Sequence, residues 1–148
     1  GYGDLTEPSL EELDAVPPDG ATPDAERAAA LRDRDFDVLT GDPSDDETLE
    51  RVAVDVARAV VAATNNDAED AFAIMTARQL APDVRIVAAA TDRDNVVKLK
   101  RAGATTVISP QVIGAHLLVQ SALGSSGVEA VADKILGAET PDDVTGGE

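Results

Sequence analysis

The first three residues of the chain contain a glycine pair at a spacing that could serve nucleotide binding. Gly1 and Gly3 flank Tyr2, and a helix is expected shortly afterwards, over about 8–13. Glycine suits such a loop because a Cβ atom would keep the backbone away from a pyrophosphate at the N-terminus of the helix. Thr6 stands where the third glycine of a dinucleotide-binding pattern belongs, so an ordinary glycine-rich turn explains these residues equally well when they are taken alone.

Small and polar residues follow two of the predicted strands and form a second candidate group. In a doubly wound sheet, ligands lie across the carboxyl ends of the parallel strands, so these residues and the glycine pair would share one edge. Asp42 and Asn65 offer polar groups that could fix a ligand there. Capping of the next helix is the simpler role for residues 65–67, because it requires no ligand. The candidates for cofactor binding at this edge are Gly1, Gly3, Asp4, Gly41, Asp42, Ala63, Thr64 and Asn65.

Most catalytic chemistries lack support in the residue types present. The chain has no cysteine, which removes disulfides, thiolate metal sites and cysteine catalysis. The single histidine, His116, argues against a zinc hydrolase or a Ser-His-Asp enzyme. An oxidoreductase would need a proton donor beside the nicotinamide, yet there is no Tyr-x-x-x-Lys pair and the only tyrosine, Tyr2, lies within the glycine pair. We therefore expect no enzymatic activity, no catalytic residue and no metal site.

Charge narrows the set of partners and indicates the environment. The 148 residues contain 29 acidic and 12 basic side chains, for a net charge of −17. Such a field repels nucleic acid and anionic membranes. A chain rich in acids and alanine but poor in lysine and aromatic residues is typical of the cytosol of a salt-accumulating halophile. No apolar run reaches the roughly 20 residues of a spanning helix, and no signal peptide is evident. We therefore expect a cytoplasmic location in high salt, without membrane insertion of this segment.

Short β-like runs alternate with amphipathic helical stretches along most of the chain. The continuous apolar run over 59–63 predicts a central strand covered on both faces, with Val60 and Val61 in the most buried strand. Thr22 is expected to cap the first clear helix, and Ser44 with Glu47 to form a capping box for a short one. This order predicts the α/β class, with a Rossmann-like, doubly wound parallel sheet. Strands are predicted over 36–40, 59–63, 85–89 and 106–108, and longer helices over 24–34, 67–79, 92–102, 110–123 and 128–136.

Both ends of the chain depart from this pattern. A strand is due over 15–21, where two prolines and Gly20 leave little to pair, and no strand precedes Gly1. We therefore expect N-terminal strands that are missing or degraded, as in a fragment. The expected organisation is one nucleotide-binding domain over 1–137, incomplete at its N-terminus, followed by a disordered acidic tail over 138–148.

From Asp24 to Leu123 the sequence resembles the TrkA-N or RCK-N family, the nucleotide-binding regulatory domains of potassium channels and transporters. The resemblance implies that residues 1–3 are a phosphate loop that follows a first strand. It also implies a bound NAD(H), with ATP, ADP or AMP as other ligands. The features that carry it stand in a fixed order: Gly41-Asp42, Ala63-Thr64-Asn65-Asn66-Asp67, Ala77-Arg78, Arg101-Ala102-Gly103-Ala104 and Val107-Ile108-Ser109-Pro110.

The resemblance leaves two positions for the group that binds the ribose. The family places an acid at the tip of the second strand, where a carboxylate accepts hydrogen bonds from both ribose hydroxyls. Counting from Gly1 puts Asp24 at that point, whereas matching the helix start Asp24-Ala25-Glu26-Arg27 puts Thr22 there. A threonine would weaken the preference for an unphosphorylated ribose.

The function that the resemblance implies is a nucleotide-sensing regulatory domain of a potassium channel or potassium uptake system. Its partners would be the membrane subunit and a second copy of the chain, since the helix over 112–123 carries more apolar side chains than packing on its own sheet requires. We expect dimerisation through Ile113, Leu117 and Leu118. The alternatives are a degenerate Rossmann domain that binds no ligand and serves as a dimerisation module and, with less support, an NAD-dependent oxidoreductase.

Overall fold

The computed structural model describes residues 2–13 and 18–124, and beyond them residues 127, 130, 131, 133 and 135. Gly1, any strand before it, the tail over 138–148 and most of the helix predicted over 128–136 lie outside the described residues. The chain falls into two units by its internal contacts, Gly1–Pro110 and Gln111–Glu148. Among the described helices, none combines the length and the apolar character that crossing a membrane requires.

Helices and strands alternate from the N-terminus onward, as the sequence predicts. The helices are α1 (Thr6–Glu12), α2 (Ala25–Arg32), α3 (Asp46–Arg51), α4 (Asp67–Leu80), α5 (Val96–Ala102) and α6 (Pro110–Ala122). The strands are β1 (Gly20–Thr22), β2 (Val38–Thr40), β3 (Ala59–Ala62), β4 (Arg85–Ala89) and β5 (Thr106–Ile108). Single 3-10 turns lie at Val54–Val56 and Arg93–Asn95.

The strands form two parallel sheets. β1 pairs with β2, with Gly20 opposite Val38. β4 lies between β3 and β5, with Val61 opposite Val87 in the first of these pairs. Parallel strands joined by helices confirm the predicted α/β class.

β1 forms where the sequence predicted little to pair, and that prediction is wrong. The prolines precede the three paired residues, so no proline removes an N–H group from the ladder. Hydrogen bonds from Gly20 N to Asp37 O and from Gly41 N to Thr22 O, each 2.9 Å long, close the strand pair at its two ends.

Two apolar clusters stabilise the first unit. The smaller one lies between α2 and β2 and buries Ala28, Leu31 and Val38, with Tyr2, Leu10 and Phe36 packed against it. The larger one lies where α4 and α5 pack on the β3–β5 sheet. It buries Leu49, Val54, Ala62, Ile74, Ala77, Ile86, Ala88, Ala90, Leu99 and Ala104.

The β3–β5 sheet buries one face more deeply than the other. Ala62, Ile86 and Ala88 are buried on the face that contacts α4, whereas Val61 is 58% exposed on the opposite face. Alternation of side chains along a strand separates the two faces. The prediction that Val60 and Val61 lie in the most buried strand, covered on both faces, is therefore wrong, because the apolar run alone does not show which helices cover each face.

The ends of the helices partly follow the sequence signals. Gly103 ends α5 with a φ of 128°, and Asn66 caps α4 by accepting hydrogen bonds from two backbone N–H groups, as predicted. The predicted capping box of Ser44 and Glu47 does not form, because α3 begins after Asp45 without a side-chain cap. The Ser44 hydroxyl instead donates to Asp42 Oδ1 over 2.7 Å.

Candidate functional site

The start of the chain packs against the residues that follow β3. Asp4 N donates to Asn65 Oδ1, and Asn65 Nδ2 donates to Asp4 Oδ1, each over 3.0 Å. These reciprocal hydrogen bonds join positions that are 61 residues apart in the sequence. The predicted binding residues that come together at the carboxyl end of β3 are Gly3, Asp4, Ala63, Thr64 and Asn65.

Gly3 is buried in this contact and has no room for a side chain. An added Cβ would lie 2.2 Å from Ala63 O and 2.9 Å from Thr64 C. Because these are backbone atoms, they cannot move aside cheaply, so glycine is required for the turn to approach β3 this closely. Gly3 N donates to Thr6 Oγ1 over 2.8 Å, and Thr6 N donates to Gly3 O over 3.0 Å. Thr6, at the position of the third glycine, therefore closes the turn that leads into α1.

Asp67 connects this end of β3 to the end of β4. Its carboxylate accepts hydrogen bonds from Thr91 N at 2.8 Å, Asp92 N at 3.1 Å and Asn95 Nδ2 at 2.9 Å. Burial opposes the ionised form, but the hydrogen bonds outweigh it and hold the pKa of Asp67 below its usual value. Of residues 65–67, which the sequence favoured as helix caps, only Asn66 caps α4.

The predicted residues near the second strand lie at the ends of β1 and α2. Thr22 is buried, and its hydroxyl oxygen accepts a hydrogen bond from Asp24 N at 3.3 Å. Asp24 Oδ1 accepts from Glu26 N and Arg27 N, both at 3.1 Å, and Asp24 Oδ2 lies 3.5 Å from Arg27 Nε. Asp24, rather than Thr22, is therefore the N-cap of α2, which corrects the prediction. The hydroxyl oxygen of Thr22, the last residue of β1, accepts its hydrogen bond from within the same turn.

Gly41 and Asp42 shape the turn after β2. An added Cβ at Gly41 would lie 2.8 Å from Oγ1 of the buried Thr48. Asp42 Oδ1 accepts hydrogen bonds from the Ser44 hydroxyl and from Ser44 N at 2.8 Å, and these lower the pKa of Asp42. Among the described residues, no hydrogen bond links this turn or Asp24 to the residues gathered at the end of β3. Gly1 lies outside the described residues.

Tyr2 is held by side chains of α1 and α2. Its hydroxyl donates to the Glu7 carboxylate, and the Arg27 guanidinium lies 4.6 Å from the centre of its ring. The shared hydrogen bond raises the pKa of Tyr2 and lowers the pKa of Glu7. Arg34 Nη1 also pairs with Glu7 at 2.8 Å. Tyr2 therefore belongs to the packing of the N-terminal segment, a role that its position between two glycines did not indicate.

Asp70 is the residue near this site that sequence reasoning missed. It is 1% exposed, and its Oδ1 accepts hydrogen bonds from the Thr64 hydroxyl at 2.8 Å and from Thr64 N at 3.3 Å. The available signal was its place one turn into α4, on the same face as the buried Ile74 and Ala77. Most of the other acidic residues that the structure describes are exposed, so the residue type by itself gave no reason to expect burial.

The first unit is a parallel α/β domain in which a glycine-containing turn packs at a strand end and leads into a helix. That arrangement defines the Rossmann-like class of domains. Residues 1–110 match the model of the TrkA-N domain. The chain therefore belongs to the TrkA-N domain family, which confirms the resemblance seen in the sequence.

The chain is also similar in sequence or in fold to known proteins. The chain is 34% identical over 84 residues to the voltage-gated potassium channel Kch of Escherichia coli (strain K12), a match that covers 57% of this chain and 20% of Kch. The TrkA-N domain of the inner membrane protein ybaL from Escherichia coli has a TM-score of 0.75 at 24% identity, over 81% of this chain and 90% of that one. The GsuK channel bound to NAD has a TM-score of 0.70 at 25% identity, over 79% of this chain and 22% of the channel.

Proposed function

We propose that this domain binds NAD(H) or an adenine nucleotide and thereby regulates a potassium channel or potassium transporter. The observation that carries the proposal is the packing of the Gly3–Asp4 turn on Ala63, Thr64 and Asn65. In Rossmann-like domains the pyrophosphate lies where such a turn meets the strand ends. The relative Kch is a voltage-gated potassium channel, and the similar GsuK channel structure has NAD bound.

The proposed binding residues fall into three groups along the strand ends. The N-terminal turn, which contains Gly1, Gly3 and Asp4, would lie beside the phosphates. Thr22 and Asp24 would lie beside the ribose, and the threonine at the strand tip leaves room for ligands other than NAD(H). The remaining residues of the proposed edge are Gly41, Asp42, Ala63, Thr64 and Asn65.

Isothermal titration of NADH, NAD, ATP, ADP and AMP in molar KCl tests the proposal. We expect saturable binding of at least one of them. Asn65→Ala removes both hydrogen bonds to Asp4, so its affinity should fall roughly tenfold, as expected for the loss of one or two hydrogen bonds. Gln79→Ala, an exposed position at the opposite end of α4, is the matched control and should bind like the parent. Absence of binding by every nucleotide would overturn the proposal and favour a ligand-free dimerisation module.

We propose a regulatory rather than an enzymatic role, on the cytoplasmic side of the membrane. The support for regulation is the homology to segments of potassium channel proteins. The matched segment spans 20% of the length of Kch, so the membrane subunit would be a partner or another part of the same protein. Turnover of an alcohol or a hydroxy acid with NAD would contradict the regulatory role.

We also propose that the domain acts as a homodimer through α6. Within this single chain, Ile113 is 50% exposed and Leu118 is 73% exposed, and Leu117 between them is half-buried. Apolar side chains grouped at the surface of so acidic a protein favour contact with a partner. A second copy presents the same helix, so contact between the two copies would bury the apolar side chains of both.

Sedimentation in molar KCl distinguishes a dimer from a monomer. We expect the parent chain to sediment as a dimer and Leu118→Asp as a folded monomer, because a charge on this surface opposes its burial. Gln111→Asp adds the same charge at an exposed polar position of α6 and should remain dimeric. A monomeric parent chain would contradict the dimer.

A further inference from the structure

Asp70 occupies an unusual place beneath the proposed nucleotide edge. It is 1% exposed, and in the part of the chain that the structure describes its Oδ2 atom is buried without a hydrogen-bond partner. Among the described residues, only Thr64 donates hydrogen bonds to this carboxylate, through its hydroxyl at 2.8 Å and its N–H at 3.3 Å. A buried carboxyl group with one unpartnered oxygen is costly to ionise.

The Thr64 hydroxyl has a choice of acceptors. Its oxygen lies 2.8 Å from Asp70 Oδ1 and 3.1 Å from Asn66 O, and it also accepts a hydrogen bond from Asn66 N at 3.2 Å. A hydroxyl group carries one proton, so it can donate strongly to only one of the two acceptors. An ionised Asp70 is the stronger acceptor, whereas a neutral Asp70 leaves the Asn66 carbonyl as the competitor.

Asn65 lies between Thr64 and Asn66 in the chain and forms the contact with the N-terminal turn. Its side chain holds Asp4 by the two reciprocal hydrogen bonds of 3.0 Å. The conformation of the Thr64–Asn66 turn therefore determines where the side chain of Asn65 points. A change at Asp70 can reach Asp4 through Thr64 and Asn65 without any contact between Asp70 and the ligand.

We propose that Asp70 is a positioning residue whose ionised carboxylate holds the Thr64 hydroxyl and so keeps Asn65 on Asp4, and whose protonation releases this turn and weakens nucleotide binding. This inference rests on the proposed function.

The surroundings of Asp70 place its protonation in a range of pH that experiments can reach. Burial raises the pKa of Asp70 to about 6, while the hydrogen bonds from Thr64 lower it. The Asp67 carboxylate on the same helix raises the pKa of Asp70 further. Asp67 itself stays ionised through this range, since its own pKa is lowered.

The first test follows nucleotide affinity between pH 5 and pH 8 in molar KCl. We expect the parent to bind about fivefold more weakly at pH 5, the effect of one neutral hydrogen bond. Asp70→Asn, which carries a neutral group of the same shape, should bind weakly at both pH values. Thr64→Val should also lose the pH response, and Thr64→Ser, which keeps the hydroxyl, should restore it. Glu69→Gln makes the same charge change at an exposed position of α4 and should behave like the parent.

The second test needs no nucleotide and separates the two proposals. In nuclear magnetic resonance spectra, the side-chain amide of Asn65 should shift with a midpoint near pH 6 in the parent and stay constant in Asp70→Asn. An Asn65 signal that does not titrate overturns the role of Asp70, whatever binds. A titrating Asn65 in a chain that binds none of the nucleotides supports the positioning role and contradicts the proposed function.

Discussion

The region of β1 and β2 and the region of β3, β4 and β5 share the same alternation of strand and helix, but different forces stabilise them. The β1–β2 region has three buried apolar side chains, supplemented by the exposed Arg34–Glu7 pair and by a partly buried hydrogen bond from Arg32 Nε to Val38 O at 2.7 Å. The β3–β5 region buries ten apolar side chains.

Charged side chains also play different roles in the two regions. Arg78 in the β3–β5 region is half-buried and donates to the carbonyl oxygens of Gly103, Pro82 and Val84 over 2.7–3.1 Å. The Arg34–Glu7 pair in the β1–β2 region is exposed to water and to salt. Partly buried hydrogen bonds to a charged group contribute more than exposed ion pairs. The comparison indicates that most of the stability of the first unit resides in the β3–β5 region.

The largest effect should come from emptying the core of the β3–β5 region. Leu99 is completely buried, so Leu99→Ala should lower the free energy of unfolding by about 3 kcal/mol. Leu31→Ala in the smaller cluster should cost less and should reduce hydrogen-exchange protection mainly over residues 20–40. Val97→Ala, on the same helix as Leu99 but 53% exposed, is the control and should change stability by less than about 0.5 kcal/mol. Equal losses at Leu99 and Leu31 would contradict the comparison.

A smaller effect on stability is expected from Asp70, the buried acid of the β3–β5 region. Burial raises the pKa of Asp70 from 3.8 to about 6 in the folded state, so the folded protein binds this proton more tightly than the unfolded chain does. The stability that protonated Asp70 contributes is therefore lost as the pH rises from about 4 to about 6. Asp70→Asn should raise the free energy of unfolding at pH 8 by about 2 kcal/mol and leave it nearly unchanged at pH 4. Chemical denaturation at the two pH values measures this difference, and destabilisation at pH 8 would contradict it.

The smallest of the three effects concerns salt, and it would sharpen the difference between the regions. A net charge of −17 destabilises the compact state in dilute buffer, and molar KCl screens that repulsion. We expect the Tm to rise by several degrees, equivalent to about 1 kcal/mol for a domain of this size. Hydrogen exchange should respond to salt more over residues 20–40 than over 85–89. A Tm that is the same in dilute buffer and in molar KCl would contradict the expectation of a halophilic protein.

Elements with strong local signals could be predicted from the sequence. β4 over 85–89 and β5 over 106–108 were predicted with the observed limits, because a short apolar run bounded by turn residues specifies a strand. Gly103 was predicted to end α5, because only a residue without Cβ readily adopts a positive φ. The family was also recognisable, since its turn residues stand in a fixed order.

The candidate site was predictable in part. The residues Gly3, Asp4 and Ala63–Asn65 were expected at one edge, and the structure brings them together. Their role as a binding site stays a prediction. The sequence predicted Thr22 as the cap of α2; the backbone geometry was needed to show that Asp24 caps it instead, because both residue types cap helices well.

The sequence by itself therefore determined the alternation of elements, the parallel class and the family, because these depend on patterns within a few residues. Only the tertiary structure decided that Val61 is exposed, that Asp70 is buried and that Asn65 holds Asp4 rather than capping α4. Each of these depends on which remote segment covers a side chain. The sequence predicted Asp4 and Asn65 at one edge of the sheet, but no local pattern specifies the side-chain contact that they form across 61 residues of chain.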